Sequence, residues 1–371
     1  MRTAVKVIGR ALLVLAILGL AAWAALALYL GPSQAAFWAL AVAAVGLVAA
    51  ISAVLPRLRW WPLALFAVAV IVFLVRWSGV QPSNDRDWQT DVAVLPFATF
   101  DGDLVTIHNI RNFDYRTETD YTPRYYDKTY DLRQLDSADL IAVYWMGDAI
   151  AHIIASFAFA GQDFLAVSIE TRKERGETYD TLRGFFRQYE LIYIVGDERD
   201  LIRLRTNYRK DPPEEAYLYR TNAPPENVRR LFLSYFQEIN ELRDRPAFYN
   251  TLTTNCTTNV LRHSRVNPGT KHYSWKILLS GYAPLYTYEL GRLDTSLPFE
   301  ELRRRSHINA AAQAADQAAD FSQRIRAGLP KSPRRATPTD ERMPVFVGSH
   351  RGGANLSDQQ APRSAFDDAT A

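Results

Sequence analysis

The one thiol in the sequence is Cys256, in the run Thr253-Thr254-Asn255-Cys256-Thr257-Thr258-Asn259-Val260-Leu261. Thr and Asn are preferred helix N-cap residues and the residues after them read as a helix, so the cysteine falls in its first turn. Unpaired backbone N–H groups and the positive end of the helix dipole stabilise a thiolate there. Such a thiolate is a competent nucleophile when a base is near, and an N–H of the same turn can serve as half of an oxyanion hole. A base is available in His152, which begins the strand His152-Ile153-Ile154-Ala155-Ser156. Alternation puts His152, Ile154 and Ser156 on one face and the bulkier Ile153, Ala155 and Phe157 on the other, so the lighter face is the one a helix or cleft can approach. On the next strand Glu170 shares the lighter face with Ala166 and Ser168. In a hairpin, positions equally far from the turn are neighbours, and His152 and Glu170 are close to such a pair. A carboxylate beside an imidazole fixes its tautomer and stabilises its cation, the orienting role in a nucleophile–base–acid triad.

Each residue also has a plainer reading. Free cysteine is among the most buried residue types, a lone strand histidine is commonly structural, and Glu170 can pair with Arg172 or Lys173 at a sheet edge. What joins the three is geometry, because triads are recognised by roles rather than chain order.

The elements that must hold this constellation are legible in the patterning. Leu104–Ile107, Leu140–Trp145, Ala151–Phe159, Phe164–Thr171, Leu191–Val195 and Ala216–Tyr219 read as strands, the central two joined by the hairpin signal Ala160-Gly161-Gln162-Asp163. Helices are predicted over Thr178–Tyr189, over Glu226–Leu242 behind Pro224-Pro225, and as an Ala-rich segment from Ile308 to Leu329 closed by Pro330. The Tyr-rich segment Asp114–Leu135 reads as surface hairpins or loop. This is an α+β pattern of antiparallel strands with helices packed against them. Residues 81–330 form the domain, and 331–371, rich in Pro, Ser, Arg and Asp, read as a disordered tail.

Ahead of the domain, residues 1–80 read as a transmembrane region. No charge occurs in Ala11–Leu30 or Gly31–Pro56, and a third apolar run spans Trp60–Val75 with Trp and Arg at its ends. A spanning helix needs about 20 apolar residues, and interfacial anchors let a slightly shorter one cross. Arg2, Lys6 and Arg10 before the first helix, and Arg57 and Arg59 between the second and third, put those loops in the cytoplasm by the positive-inside rule. With three crossings, everything after about residue 78 is then outside, on the outer face of an inner membrane. A formal net charge of +3 is too small and scattered for a nucleic-acid surface. The six histidines form no ligand pair at helical spacing and no Gly-rich phosphate loop occurs, so neither a metal nor another cofactor is expected. An extracytoplasmic domain with one cysteine has no internal disulfide and rests on its core.

Several separated motifs, in order, resemble the bacterial family of Lnb N-terminal periplasmic domains. They are Asn84-Asp85-Arg86-Asp87-Trp88, Asn109-Ile110-Arg111-Asn112-Phe113, His152 in its strand, Ser168-Ile169-Glu170-Thr171-Arg172, Phe248-Tyr249-Asn250-Thr251-Leu252 with Asn255-Cys256-Thr257-Thr258, and Ser306-His307-Ile308-Asn309-Ala310. The resemblance covers about residues 84–330. It implies a papain-like fold similar to circularly permuted NlpC/P60 enzymes, with histidine ahead of cysteine in the chain and His152, Glu170 and Cys256 in the triad positions. It further implies acyl transfer from a phospholipid donor to an amine acceptor such as a lipoprotein N-terminus. Asn255, Thr257, Tyr249 and His307, close to these motifs, are the candidate substrate or oxyanion residues. Members often carry membrane helices after the domain, whereas these three precede it, a departure that bears on the acceptor more than on the thiol chemistry. Two other functions fit the same residues: a thiol hydrolase of envelope amides, with water as acceptor, and an anchored binding domain with a buried cysteine.

Overall fold

The computed structural model describes residues 2–55, 60–268 and 274–330. Arg57 and Arg59, which bear on orientation, and the tail from residue 331, expected to be disordered, lie outside the described residues. The three apolar runs form α1 (Arg2–Leu30), α2 (Ala36–Val54) and α3 (Trp61–Ser78), each long and apolar enough to cross a membrane. Lipid gives no hydrophobic drive for helices to associate, so their contact relies on small residues that let backbones approach. Ala21, Ala24 and Ala27 of α1 and Ala49 and Ala50 of α2 are buried, and a side chain at Gly46 would collide with the Ala21 methyl.

The rest of the described chain folds around one sheet. Its strands are β1 (Phe97–Asp101), β2 (Leu104–Arg111), β5 (Tyr125–Asp131), β6 (Leu135–Tyr144), β7 (Ala151–Phe159), β8 (Asp163–Arg172), β9 (Glu190–Gly196) and β10 (Glu215–Arg220). The order is β1-β2-β9-β8-β7-β6-β10, with β5 also paired to β2, and the short strands β3 (Asp114–Tyr115) and β4 (Tyr121–Thr122) form a separate hairpin. All pairings in the large sheet are antiparallel except β2 with β9, which meet in parallel at Arg111 and Gly196. The fold is thus α+β with a mixed sheet, a small correction to the all-antiparallel expectation. It arises because β9 leaves the hairpin succession and enters the sheet between β8 and β2.

Helices cover both faces. On one lie α5 (Pro225–Asp244) and α6 (Cys256–Ser264). Here Phe157, Val167 and Tyr193 meet Phe232, Tyr235 and Phe236 in one core. On the other face Ile154, Ala166 and Ile194 pack against α4 (Glu198–Arg203), α10 (Asn309–Ala314) and α11 (Phe321–Arg324) through Leu201, Ile202, Ala312 and Phe321. Every residue of β7 is buried. The lighter face of β7 is therefore no open cleft, and the cysteine helix approaches from the bulkier side instead. A face of Ile, Ala and Ser in mid-sheet still carries enough apolar surface to be worth covering. The shorter helices α7 (Trp275–Leu278), α8 (Ala283–Glu289) and α9 (Phe299–Arg305) complete the domain.

Two predicted helices come out differently. Residues 178–189 form a closed loop with one short 3₁₀ turn at Arg183–Phe185. Tyr189 closes it, its hydroxyl donating to Thr178 O at 2.7 Å and accepting from Asp180 N at 3.0 Å. Arg187 at φ 56° turns the chain out of any helix, and Gly184 lies so close to Thr251 that a side chain there would collide with the hydroxyl. The Ala-rich segment breaks into α10 and α11, because Asn207 and Arg203 hold Asp316 by its carboxylate and carbonyl, at 2.7 and 3.0 Å, between them.

The domain is fastened to the membrane helices at their domain-side end. Phe186 packs against the cluster of Ala24, Ala27, Val42 and Phe73 from the three helices, and Arg187 donates to the carbonyls of Trp77 and Val80 at 2.9 and 3.3 Å.

Candidate active site

Cys256 is placed by its N-cap. Asn255 has extended backbone and accepts from Thr258 N at 2.8 Å, while the Thr258 hydroxyl accepts from Asn255 N at 2.9 Å. This is a capping box, worth about 1 kcal/mol to the helix start. The Asn255 amide nitrogen is occupied as well, donating to Thr251 O at 2.7 Å, so Asn255 acts as a positioning residue. The first-turn N–H groups of Cys256 and Thr257 have no acceptor within the helix. They are the donors that can face an oxyanion.

The sulfur meets the base where two strands separate. Pairing of β7 with β8 ends at Ile154 and Ser168, and continuing that register sets His152 directly opposite Glu170. The tip of α6 comes into this opening. His152 and the Ile153 amide lie close enough to the Cys256 thiol to favour its anion, and Thr257 Oγ1 lies 3.7 Å from Sγ. His152 Nε2 is 2.6 Å from Ser168 Oγ and 3.1 Å from Glu170 Oε1. Ser168 donates to Glu170 Oε1 at 2.6 Å, so its oxygen accepts from Nε2–H and Nδ1 is the ring nitrogen available to the sulfur.

The electrostatics are set by these contacts. Burial pushes the His152 ring down, but the Glu170 charge, opposed by Arg205 and helped by Cys256, outweighs it and raises the ring to about 9. Burial pushes the Cys256 thiol up, and His152, the Ile153 amide and Thr257 bring it below its ordinary value. Burial would raise Glu170, whereas His152 and Arg205 hold it well below the usual carboxylate range. Both shifts favour the ion pair, with the shared proton on the ring rather than on the sulfur.

Glu170 has a fixed counter-charge. Arg205, buried in the π-helical turn Leu204–Tyr208, donates to Glu170 Oε1 at 2.9 Å and to Glu214 at 3.3 Å, and Arg209 donates to Glu214 at 2.8 Å. Extra-residue helical turns often occur at functional sites because they re-aim a side chain. The alternation that marks His152 and Glu170 could have revealed Ser168 between them. Nothing in the local sequence signals Arg205, which comes from another element.

The remaining candidates separate. Tyr249 is buried beside the site, close to Tyr179. Thr257 is buried and touches the sulfur. His307 lies against the edge strand β10, where it pairs with Glu215 and packs against Tyr217; none of the three triad candidates is among its contacts in the described residues. Behind α6 is a largely apolar cavity of about 180 Å³, bounded by α5, α6, α8 and β6–β7 and lined by Ile153, Ala155, Val228, Leu231, Val260 and Tyr286 among others. Thr257, next to the sulfur, is part of its wall.

Residues 121–284 match the Lnb N-terminal periplasmic domain. With its three apolar helices, the chain is a membrane protein carrying a periplasmic domain that is similar to this family over the matched residues. No curated protein and no solved structure matches it. The match spans His152, Glu170, Arg205 and Cys256 and stops short of His307.

The charge on Glu170 gives the domain a testable pH signature. Glu170→Gln removes the main group that raises His152, so the ring loses its proton at lower pH and the thiol gains one at higher pH. The acid edge of Cys256 alkylation, followed with iodoacetamide from pH 5 to 10, should move up by about one unit or more. A profile equal to that of the parent protein would show that Glu170 does not set the state of the pair.

Proposed function

We propose that this protein is an inner-membrane, three-span cysteine acyltransferase of the cell envelope. It moves an acyl chain from a phospholipid to an amine acceptor, such as a lipoprotein N-terminus, through a thioester on Cys256. The observation that carries this reading is a first-turn cysteine placed beside an imidazole that is backed by Glu170. The order of histidine before cysteine is the one that similarity to permuted NlpC/P60 enzymes implies.

The thiolate attacks the ester carbonyl carbon, forming C–S as the ester C–O bond breaks, and His152 gives its proton to the departing lysophospholipid alkoxide. The amine nitrogen then attacks the thioester, C–N forms as C–S breaks, and neutral His152 takes the amine proton, restoring the thiolate–imidazolium pair. The N–H groups of Cys256 and Thr257 stabilise the oxyanion in both halves. An acyl substrate is favoured by the cavity beside Thr257, since apolar cavities of this order admit a benzene-sized solute and so about six carbons of chain.

The test is intact-protein mass spectrometry of the full chain in phospholipid vesicles. A gain of one fatty acyl group, released by hydroxylamine and absent from Cys256→Ser, is the expected result. Release of free fatty acid with no transfer to an added amine would replace the transferase by a hydrolase. No adduct, with slow thiol alkylation indifferent to His152→Ala, would overturn the enzyme reading in favour of an anchored binding domain.

A further inference from the structure

The loop at 178–186 and the turn before Cys256 are built as one unit. Thr251 joins them twice: its N–H donates to Gly184 O at 3.2 Å and its hydroxyl to Thr181 O at 2.8 Å. Tyr249 reaches Tyr179 on the same side. This unit presents four large apolar side chains with nothing over them, Tyr179, Leu182, Phe185 and Leu252, exposed by 48%, 60%, 39% and 46%.

Their level relative to the membrane can be read from the helix ends. Tyr29 ends α1, Phe37 and Trp38 begin α2, and Trp77 ends α3, all at the domain side. Aromatic residues at helix ends mark the lipid–water interface. Phe186, the next residue after Phe185, packs against the same helix cluster as Leu28 and Trp77, and its carbonyl lies against Gly31. Arg187, with its guanidinium 4.8 Å from the Trp77 ring centre, ties the loop down at the same height.

We propose that Tyr179, Leu182, Phe185 and Leu252 dip into the outer leaflet at the headgroup–acyl boundary, forming a monotopic footprint beside the spanning helices. Four clustered apolar side chains held at the depth of an aromatic belt are worth more in lipid than in water, and the surface continues directly from the membrane-embedded helices. Leu252 is in the turn that leads into the nucleophile helix, so a lipid lying against the footprint has its ester near the level of Cys256 and need not leave the bilayer whole. The footprint itself rests on membrane anchorage, not on acyl transfer.

Because Cys256 is the one cysteine, a nitroxide can be placed singly in a Cys256→Ser background. The full chain is labelled at Leu182→Cys, Leu252→Cys and, as a reference, Leu104→Cys, and reconstituted in phosphatidylglycerol–phosphatidylethanolamine vesicles. Leu104 opens β2 next to Asp103, which pairs with Arg229 in the first turns of α5, whereas the other end of that helix is held to the membrane-side linker by Asn84. Twenty helical residues separate the two ends by about 30 Å. Power saturation should give an oxygen-to-nickel-chelate accessibility ratio several-fold higher at 182 and 252 than at 104. Equal ratios at all three would overturn the proposal, whatever the outcome of the acyl-adduct experiment. If a labelled variant unfolds at a different temperature from the parent, Phe185→Cys reads the same depth in its place.

Discussion

Cys256→Ala is expected to lower acyl transfer by about four to six orders of magnitude in kcat, and His152→Ala to lower it nearly as far, because a nucleophile and its base act as a unit. The double variant should then be no slower than either single one. That non-additivity is the informative part. If the thiolate is the attacking group and the ring both keeps it ionised and moves the proton, removing one leaves the other with nothing to do. The measurement is transfer of a labelled acyl chain from phospholipid to an amine in proteoliposomes. The same His152→Ala protein should alkylate at pH 7 about 10- to 100-fold more slowly, since burial then pushes the thiol up without the ring to oppose it. Full activity in Cys256→Ala, or losses that multiply in the double variant, would exclude the shared mechanism.

Arg326→Leu is expected to destabilise the domain by about 3–5 kcal/mol, read by urea or thermal unfolding of the full chain in detergent. Arg326 is buried with Glu198 and Asp139, donating to Glu198 at 2.6 and 2.7 Å and to Asp139 at 2.8 Å, and Ser156 of β7 joins the same network. Removing the guanidinium leaves two carboxylates without their main partner in a closed interior. Burial would raise Glu198, but Arg326 keeps it below its ordinary value. The stability this contributes is therefore present above the unfolded carboxylate pKa and is lost as pH falls through the lower folded one. A change under about 1 kcal/mol would mean that water replaces the arginine. The result matters for where the domain ends. Arg326 lies beyond the matched span 121–284, yet Ile308, Phe321 and Ile325 complete the core on the far face of the sheet.

What could be read in the sequence was local. The β7–β8 hairpin is announced by its turn, where Ala160 and Gly161 take φ of 51° and 66°, and its register then carries His152 opposite Glu170. The α5 stripe is legible because Val228, Phe232, Tyr235, Ile239 and Leu242 recur at helical spacing and are buried. The N-cap is legible for the same reason, since Asn255 and Thr258 answer each other three residues apart. The loop at 178–189 misled because Leu182, Phe185 and Phe186 mimic a helical stripe, while the conformation is decided by Tyr189, Gly184 and contacts with another segment. Arg205 was invisible because its partners, Glu170 and Glu214, are set by tertiary placement.

The opening between β7 and β8 has a consequence for the chain before it is finished. Until the tip of α6 docks there, the sulfur has neither ring nor amide beside it and behaves as an ordinary thiol, largely protonated at neutral pH. Chemical aggressiveness is thus acquired only when α6 docks. A polypeptide emerging into an oxidising compartment carries its sole sulfhydryl in a sluggish form, and becomes vulnerable to peroxide only when it is ready to work.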